Sequence, residues 1–360
     1  MRFIGNKKNL LDTINYTLEQ KNIKGNSFFD FFSGATNVAR FFKKKSYKVF
    51  SSDLLYFSYC LQYAYIKNNK EPKFSKLILQ LNIKKDKLIY SPLDIVVKFL
   101  NDIRPVESFI YNNYSVGGTS HLEKPRMYFS DDNAKKIDAI RIQIEDWKNN
   151  KLLTKEEYFI LIACLIESVS FYSNVAGIYA AFQKKWDKRA LKSFNLRTIE
   201  LVYNDEKNEV FNTDSMQLIS DIDTDILYLD PPYNERQYAP NYHILETIAK
   251  YDNPIIKGVT GMRDYSGQKS AFCNKETALQ SLDKIAKTAK YKYLILSYNS
   301  EGIMPSKQIV ETLQKYGNVE LCEFDYLRFK SNFNGESKTK KHIQEQLYIL
   351  ARFEIRLEYQ

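Results

Sequence analysis

The sequence has few of the residues that build metal centres and disulfide frameworks. Its 4 cysteines are scattered along 360 residues without paired spacing, which argues against a zinc site and a disulfide framework and fits a reducing compartment. Only 3 histidines are present, so histidine-based metal or triad chemistry has little material. No apolar run is long enough to cross a bilayer, and residues 1–7 lack the apolar core of a signal peptide. These absences predict a cytoplasmic protein that uses neither a metal nor a membrane.

The composition is that of an ordinary globular protein with an excess of positive charge. Hydrophobic residues make up 44% and charged residues 27%, and the length allows roughly two or three domains. The formal net charge of +10 favours a polyanionic partner such as nucleic acid. The abundance of Lys, Asn, Ile, Tyr and Phe is also typical of an AT-biased coding sequence, so charge alone leaves nucleic-acid binding open.

The most informative stretch is residues 225–233, which read DILYLDPPY. The apolar run 226–229 predicts a buried strand, and the two prolines after Asp230 end it because they lack a backbone N–H and fix φ. The corner would then lie at the carboxyl edge of a sheet, where ligands bind in open α/β folds. There the Asp230 carboxylate and the Pro231 carbonyl can accept both hydrogens of an exocyclic amine, and Tyr233 can stack on a planar base. A structural aspartate before a Pro-Pro stop is the alternative.

A nucleotide-binding βα unit is predicted near the start of the chain. The apolar strand 27–32 is followed by a turn at Gly34 and then by a helix. Thr36 stands where a second glycine is usual, so the glycine pattern is weak by itself. A second strand, 47–52, ends at Asp53, where an acid commonly accepts hydrogen bonds from ribose hydroxyls. Capping the next helix is the alternative role of Asp53.

Residues 57–200 interrupt the strand–helix alternation and predict a mostly helical insertion. Ser130 caps one predicted helix, and Thr154 with Glu157 forms a capping box for the next. The insertion is far longer than a connecting loop and should carry a function of its own, although a lid that only braces the sheet is the alternative. The basic residues beside Trp186 suit phosphate contacts, which carry no sequence information.

After residue 201 the chain is predicted to return to the sheet. A buried strand is expected at 293–299, and 321–329 with 346–353 predict a long hairpin. The hairpin turn 330–341 is basic, which suits contact with a DNA backbone, although a solvated loop is the alternative. The basic loop 253–265 is a second candidate for contact with a flipped base or the DNA backbone.

The tetrad Asp230-Pro231-Pro232-Tyr233 resembles the catalytic motif of amino-methyltransferases that use S-adenosyl-L-methionine. Asp at its first position resembles the adenine-N6 DNA methyltransferases, and residues 171–186 and 233–251 are similar to FokI-type modification methylases. The order of the segments also resembles the alpha, Dam-like class. That order runs from an N-terminal lysine motif through the donor loop, Asp53 and a long insertion to the tetrad and a terminal hairpin.

The resemblance implies an α/β, Rossmann-like class I methyltransferase fold, with a mixed, mostly parallel sheet flanked by helices and a mostly helical inserted domain. Its catalytic domain would comprise residues 1–56 and 201–360, and residues 57–200 would form the target-recognition region. The tetrad would be catalytic. The methyl donor, S-adenosyl-L-methionine, would be bound by Phe3, Lys7, Phe32, Gly34, Asp53, Asp214 and Asp230. A surface lysine for Lys7 and a helix cap for Asp214 are the alternatives.

The implied activity is methylation of the adenine N6 amine in double-stranded DNA. The chain would be the modification half of a restriction–modification system, with a cognate restriction endonuclease as its partner. Three alternatives remain open at this point. The acceptor would be the exocyclic amine of cytosine, or an RNA base, or the chain would be a catalytically silent DNA-binding protein that keeps the fold.

Overall fold

The computed structural model describes residues 5–82, 90–327 and 342–353. The chain divides into two compact units. The sheet unit comprises Lys7–Leu54, Asn204–Tyr238 and the described residues from Gly267 onward. The helical unit comprises Leu55–Tyr203, Ala239–Ser266 and the described residues before Lys7. Residues 239–266 thus group with the helical unit, while the domain boundaries and the target-recognition role expected from the sequence stay predictions.

Strands and helices alternate through the sheet unit, and helices dominate the helical unit. The strands in the described chain are β1 (Ser27–Asp30), β2 (Lys48–Asp53), β3 (Glu209–Asn212), β4 (Asp223–Leu229), β5 (Ile256–Lys257), β6 (Met262–Arg263), β7 (Lys290–Asn299), β8 (Gly317–Leu327) and β9 (His342–Arg352). The α-helices there are α1 (Leu11–Gln20), α2 (Asn37–Lys44), α3 (Tyr56–Gln62), α4 (Ser75–Gln80), α5 (Pro92–Asp102), α6 (Phe109–Tyr114), α7 (Asp131–Asn149), α8 (Lys155–Tyr172), α9 (Tyr238–Lys250), α10 (Lys275–Thr288) and α11 (Ser306–Leu313).

One seven-stranded sheet forms the centre of the sheet unit, in the order β3-β2-β1-β4-β7-β9-β8. The first five of these strands pair in parallel, and β9 runs antiparallel to both β7 and β8. The central strands β1 and β4 are buried on both faces, which explains why their sequences are nearly continuous apolar runs. Phe29, for example, pairs with Phe50 on one side and with Leu227 on the other. The predicted fold class is confirmed.

The carboxyl ends of the parallel strands bring several polar residues to one edge of the sheet. β1 ends at Asp30, β2 at Asp53 and β7 at Asn299, and Asp230 follows the last residue of β4. Because β9 runs the opposite way, its early part lies at the same edge, with Glu345 opposite Asn299. The topology therefore gathers carboxylates from four strands where the Rossmann-like fold binds ligands.

Helix caps that the sequence predicts are present in the helical unit. The Ser130 side chain accepts a hydrogen bond from the Asn133 amide at the start of α7, and Thr154 and Glu157 form the expected capping box of α8. Helix α8 is buried almost all round, as its apolar sequence requires. Within the described ranges, no helix combines the length and the apolar character that crossing a membrane demands.

Candidate active site

The Asp230–Tyr233 corner leaves β4 at the carboxyl edge of the sheet. Pro231 and Pro232 are buried, which fixes the backbone, whereas the Tyr233 side chain remains partly exposed. The Tyr233 ring packs edge-on against Tyr298, with 5.9 Å between ring centroids, and the Tyr233 carbonyl accepts a hydrogen bond from the Ile303 amide at 3.0 Å. The corner is therefore rigid, and it presents a partly accessible ring beside the Asp230 carboxylate.

A buried lysine joins this corner to the last strand of the sheet. The Lys7 side chain is only 3% exposed, and its ammonium lies 2.9 Å from the Glu345 carboxylate and 3.5 Å from Oδ1 of Asp230. The same ammonium lies 5.3 Å from the centre of the Tyr233 ring. Lys7 is thus a shared counter-ion for two carboxylates, and the alternative of a surface lysine is wrong.

The charged groups of this cluster shift one another's pKa values. Burial raises the pKa of the Asp230 carboxyl to about 7, a shift that Lys7 opposes and Glu345 reinforces. Burial by itself lowers the pKa of the Lys7 ammonium, but Asp230 and Glu345 outweigh it and raise that pKa above its ordinary value. Lys7 therefore stays charged, and Asp230 changes its ionisation in the physiological range.

Asp30, at the end of the neighbouring strand β1, is a second buried carboxyl. Asp30 accepts hydrogen bonds from the Ser33 hydroxyl at 3.1 Å and from the Ala39 amide at 3.2 Å. Burial raises the pKa of Asp30 to about 7; the Ser33 hydrogen bond opposes the shift, and the charge of Asp230 adds to it. Asp30 thereby fixes the turn between β1 and α2, which is the donor loop that the sequence predicts.

Replacing Asp30 with asparagine should stabilise the protein more at pH 8 than at pH 5. The pKa of Asp30 is higher in the folded than in the unfolded protein, so folding favours the protonated carboxyl. Its contribution to stability is therefore fully present below about pH 4 and is lost as pH rises towards 7. The asparagine side chain would keep an acceptor oxygen without the buried charge. We expect the variant's free energy of unfolding, relative to wild type, to rise by about 1–3 kcal/mol between the two pH values. Urea denaturation measures it, with the exposed Asp12→Asn as control; an unchanged difference would contradict the interpretation.

The loop between β1 and α2, which the sequence predicts to bind the donor and which we call the donor loop, contains two residues in the left-handed conformation. Gly34 has φ 48° and Thr36 has φ 63°, both left-handed, which explains why glycine suits both positions. Thr36 therefore carries backbone strain on the order of 1–2 kcal/mol. The Gly34 amide donates to Oδ2 of Asp53 at 2.8 Å, so the acid after β2 is linked directly to the loop. The N-cap residue of α3 is Leu55, which makes no side-chain cap, and the capping role of Asp53 stays an alternative.

Comparison with known proteins shows the family of this chain. A family model described as D12 class N6 adenine-specific DNA methyltransferase matches residues 3–312. The chain belongs to this family. The family expected from the Asp230–Tyr233 tetrad and the order of the segments is thereby confirmed.

Individual relatives agree with the family match. The type II methyltransferase M.FokI of Planomicrobium okeanokoites is 41% identical over 342 residues, which cover 94% of this chain and 51% of the relative. The modification methylase StsI of Streptococcus sanguinis is 38% identical, covering 98% and 52%. The type II methyltransferase M.NlaIII of Neisseria lactamica is 37% identical, covering 98% and 99%. The chain thus spans about half the length of the first two relatives and nearly all of the third.

The other residues predicted to bind the donor are Phe32, Asp214 and Phe3. Phe32 is partly exposed and packs edge-on against Phe272, with 5.3 Å between ring centroids. Asp214 is exposed beyond the end of β3, and its carboxylate caps a short 3-10 helix by accepting from the Met216 amide at 3.0 Å. The capping role of Asp214 is therefore observed. Phe3 and the basic turn 330–341 lie outside the described residues.

Glu345 is the site residue that the sequence does not reveal. It lies 338 positions after Lys7 and immediately before the segment 346–353 predicted as a strand. Only the antiparallel register of β9 against β7 brings it beside Lys7. Within the described ranges, no group of three or more His, Cys, Asp and Glu side chains is arranged to hold a metal ion.

The helical unit contains an exposed turn whose backbone carbonyls accept hydrogen bonds from buried side chains. This turn, residues 258–261, joins β5 to β6, and its Val259 side chain is 55% exposed. The Arg126 guanidinium donates to the first two carbonyls of the turn at 3.0 and 3.1 Å. The Tyr128 hydroxyl lies 3.2 Å from the third carbonyl, and Tyr114 donates to the fourth at 3.0 Å. The backbone of this turn is therefore held in a fixed conformation.

Replacing Arg126 with methionine should loosen this turn, because the methionine keeps the apolar volume but removes the donors. We expect faster hydrogen exchange in residues 255–265 and a loss of about 1–2 kcal/mol in the free energy of unfolding. Exchange measured by mass spectrometry, with the exposed Arg104→Met as control, tests this. Unchanged protection of the segment would show that Arg126 does not hold it.

Proposed function

We propose that this chain transfers a methyl group from S-adenosyl-L-methionine to the N6 amine of adenine in double-stranded DNA. One observation carries the proposal. The partly exposed Asp230–Tyr233 corner and the donor loop around Gly34 follow neighbouring parallel strands and so share one sheet edge. Ligands of open α/β sheets bind at this edge. Membership of a family described as N6 adenine-specific DNA methyltransferases supports the same activity.

The residues at this edge suit the methyl donor. Gly34 allows close backbone approach, and the carboxylates of Asp53 and Asp214 suit hydroxyl and amine groups. Oδ1 of Asp230 is buried and makes no hydrogen bond within the described part of the chain, although the Lys7 ammonium lies 3.5 Å away. When bound, S-adenosyl-L-methionine supplies a methyl group on a positively charged sulfonium. Donor contacts by Phe3, Lys7 and Phe32 rest on the resemblance.

The tetrad would make the base amine nucleophilic. The adenine amine reacts poorly because its lone pair is delocalised into the ring. The Asp230 carboxylate and the Pro231 carbonyl accept its two hydrogens and favour a tetrahedral nitrogen. With the donor bound, the freed lone pair would form the N–C bond, the C–S bond would break with its electrons remaining on sulfur, and the surplus proton would leave through Asp230 to water. Tyr233 stacks on the base, while Pro232 stiffens the corner and positioning supplies most of the rate.

Duplex DNA must present the adenine outside its base stack. The net charge of +10 supports binding to the DNA backbone, and the helical unit is our candidate for target recognition. A relative named a modification methylase supports a role as the modification half of a restriction–modification system with a cognate endonuclease. We propose a cytoplasmic location, because the scattered cysteines fit a reducing compartment.

Labelled methyl transfer tests the function directly. Genomic DNA from a methylation-deficient bacterium is incubated with the protein and methyl-labelled S-adenosyl-L-methionine, then digested to nucleosides. We expect the label in N6-methyldeoxyadenosine. Label in N4-methyldeoxycytidine, or in RNA supplied in parallel, would replace this function with one of the alternatives. Donor binding without any incorporation would indicate a silent DNA-binding protein.

A further inference from the structure

We propose that Glu345 is a positioning residue for the methyl-transfer reaction, because it holds the Lys7 ammonium away from the Asp230 carboxylate. This inference rests on the proposed function, in which that carboxylate must accept the hydrogens of the base amine. Nothing in the Asp230–Tyr233 tetrad or in the N-terminal motif indicates a third charged residue. The geometry of the buried cluster supplies it.

The distances within the cluster are unequal. Lys7 lies within hydrogen-bond distance of Glu345, at 2.9 Å, but 3.5 Å from Oδ1 of Asp230. The Glu345 side chain is 9% exposed and that of Asp230 is 15% exposed. Lys7 therefore makes its charge-assisted hydrogen bond with Glu345, and Oδ1 of Asp230 is left without a hydrogen bond within the described part of the chain.

The backbone of Glu345 is held at this position on both sides. β9 lies between β7 and β8, so Glu345 pairs with Asn299 on one neighbour and with Phe324 on the other. The Ser300 amide also donates to the Gln344 carbonyl at 3.0 Å, just beyond the register of β7. A strand paired on both edges moves little, so Glu345 provides a fixed point for the flexible lysine side chain.

Without the Glu345 charge, the ammonium would pair with Asp230 alone. The pKa of Asp230 would then fall for two reasons, since a nearby like charge disappears and the opposite charge approaches. The other titratable groups facing the pair are Tyr228 on β4 and Asp30 on β1, with Asp53 beyond Asp30. Glu345→Gln leaves these residues in place, so we expect the largest change in titration at Asp230, which shares the Lys7 ammonium with Glu345.

The substitution Glu345→Gln removes the charge and keeps the shape. We expect the acid limb of the transfer rate to move about one pH unit lower and the rate at high pH to fall roughly 10-fold, because Lys7 then occupies the acceptor. Glu345→Asp keeps the charge and should retain the wild-type midpoint. The matched control is Glu320→Gln, which removes a surface carboxylate on β8 that pairs with Lys21.

A second measurement separates this inference from the proposed function. The protein is labelled with ¹³C at aspartate side-chain carboxyls, and the Asp230 resonance is assigned by its loss in Asp230→Asn. A lower titration midpoint for Asp230 in Glu345→Gln, seen without DNA or donor, supports the positioning role even if no methyl is transferred. An unchanged midpoint in a folded Glu345→Gln protein overturns it. An inactive wild type with the shifted midpoint would overturn only the proposed function.

Discussion

Replacing Asp230 with asparagine should lower methyl transfer by on the order of 10³-fold while leaving donor affinity within a few-fold of wild type. Asparagine has nearly the same shape, but its amide is a weaker acceptor and cannot carry the surplus proton away. The remaining acceptor at the corner, the Pro231 carbonyl, cannot hold both hydrogens of the amine. Single-turnover rates with labelled donor measure the loss, and equilibrium titration measures donor binding.

The matched control for this variant is Asp223→Asn, an exposed aspartate at the start of the same strand. That substitution should leave both the rate and the donor affinity unchanged. If Asp230→Asn transferred methyl groups at the wild-type rate, the corner would not be the place where the amine is activated. If it lost donor affinity in proportion to rate, Asp230 would serve binding and not the transfer step.

Replacing Lys7 with methionine should reduce the free energy of unfolding by about 3–5 kcal/mol, because two buried carboxylates lose their shared counter-ion. The loss should be larger at pH 8 than at pH 6. Removing Lys7 raises the folded pKa of Asp230 further, so folding favours the protonated carboxyl and stability falls as pH rises. Urea denaturation followed by circular dichroism at both pH values measures the effect.

Two further variants make this measurement specific. The exposed neighbour, in Lys8→Met, should change stability by less than about 0.5 kcal/mol. Adding Glu345→Gln to Lys7→Met should restore part of the lost stability, because it removes one of the two unpaired charges. Equal destabilisation by Lys7→Met and Lys8→Met, or no recovery in the double variant, would show that the buried cluster contributes little.

Local sequence signals were sufficient for the elements whose cause is local. Two prolines after an apolar run fixed the end of β4, and Ser130 and Thr154 marked the starts of α7 and α8. The continuous apolar segments of β1 and β4 indicated strands buried on both faces. These features depend on residues only a few positions apart, and the structure contains them near the expected places.

Contacts between residues distant in the chain could not be predicted from the sequence. Glu345 meets Lys7 only through the register of β9, and Arg126 meets the turn 258–261 across more than a hundred residues. Thr36 has a left-handed backbone, which a β-branched residue disfavours. The loop imposes this conformation against the preference of threonine. For Glu345 and Arg126 the partner is distant in sequence, so no local pattern indicates the contact.

The acceptor atom can be tested most directly with DNA whose amines are blocked in advance. A long duplex of mixed sequence is amplified with N6-methyl-dATP in place of dATP, and a second with N4-methyl-dCTP in place of dCTP. Methyl incorporation from labelled donor is then measured on each duplex and on the unmodified one. We expect incorporation into the N4-methylcytosine duplex and none into the N6-methyladenine duplex. The reverse pattern would contradict adenine N6 as the atom that the Asp230–Tyr233 corner activates.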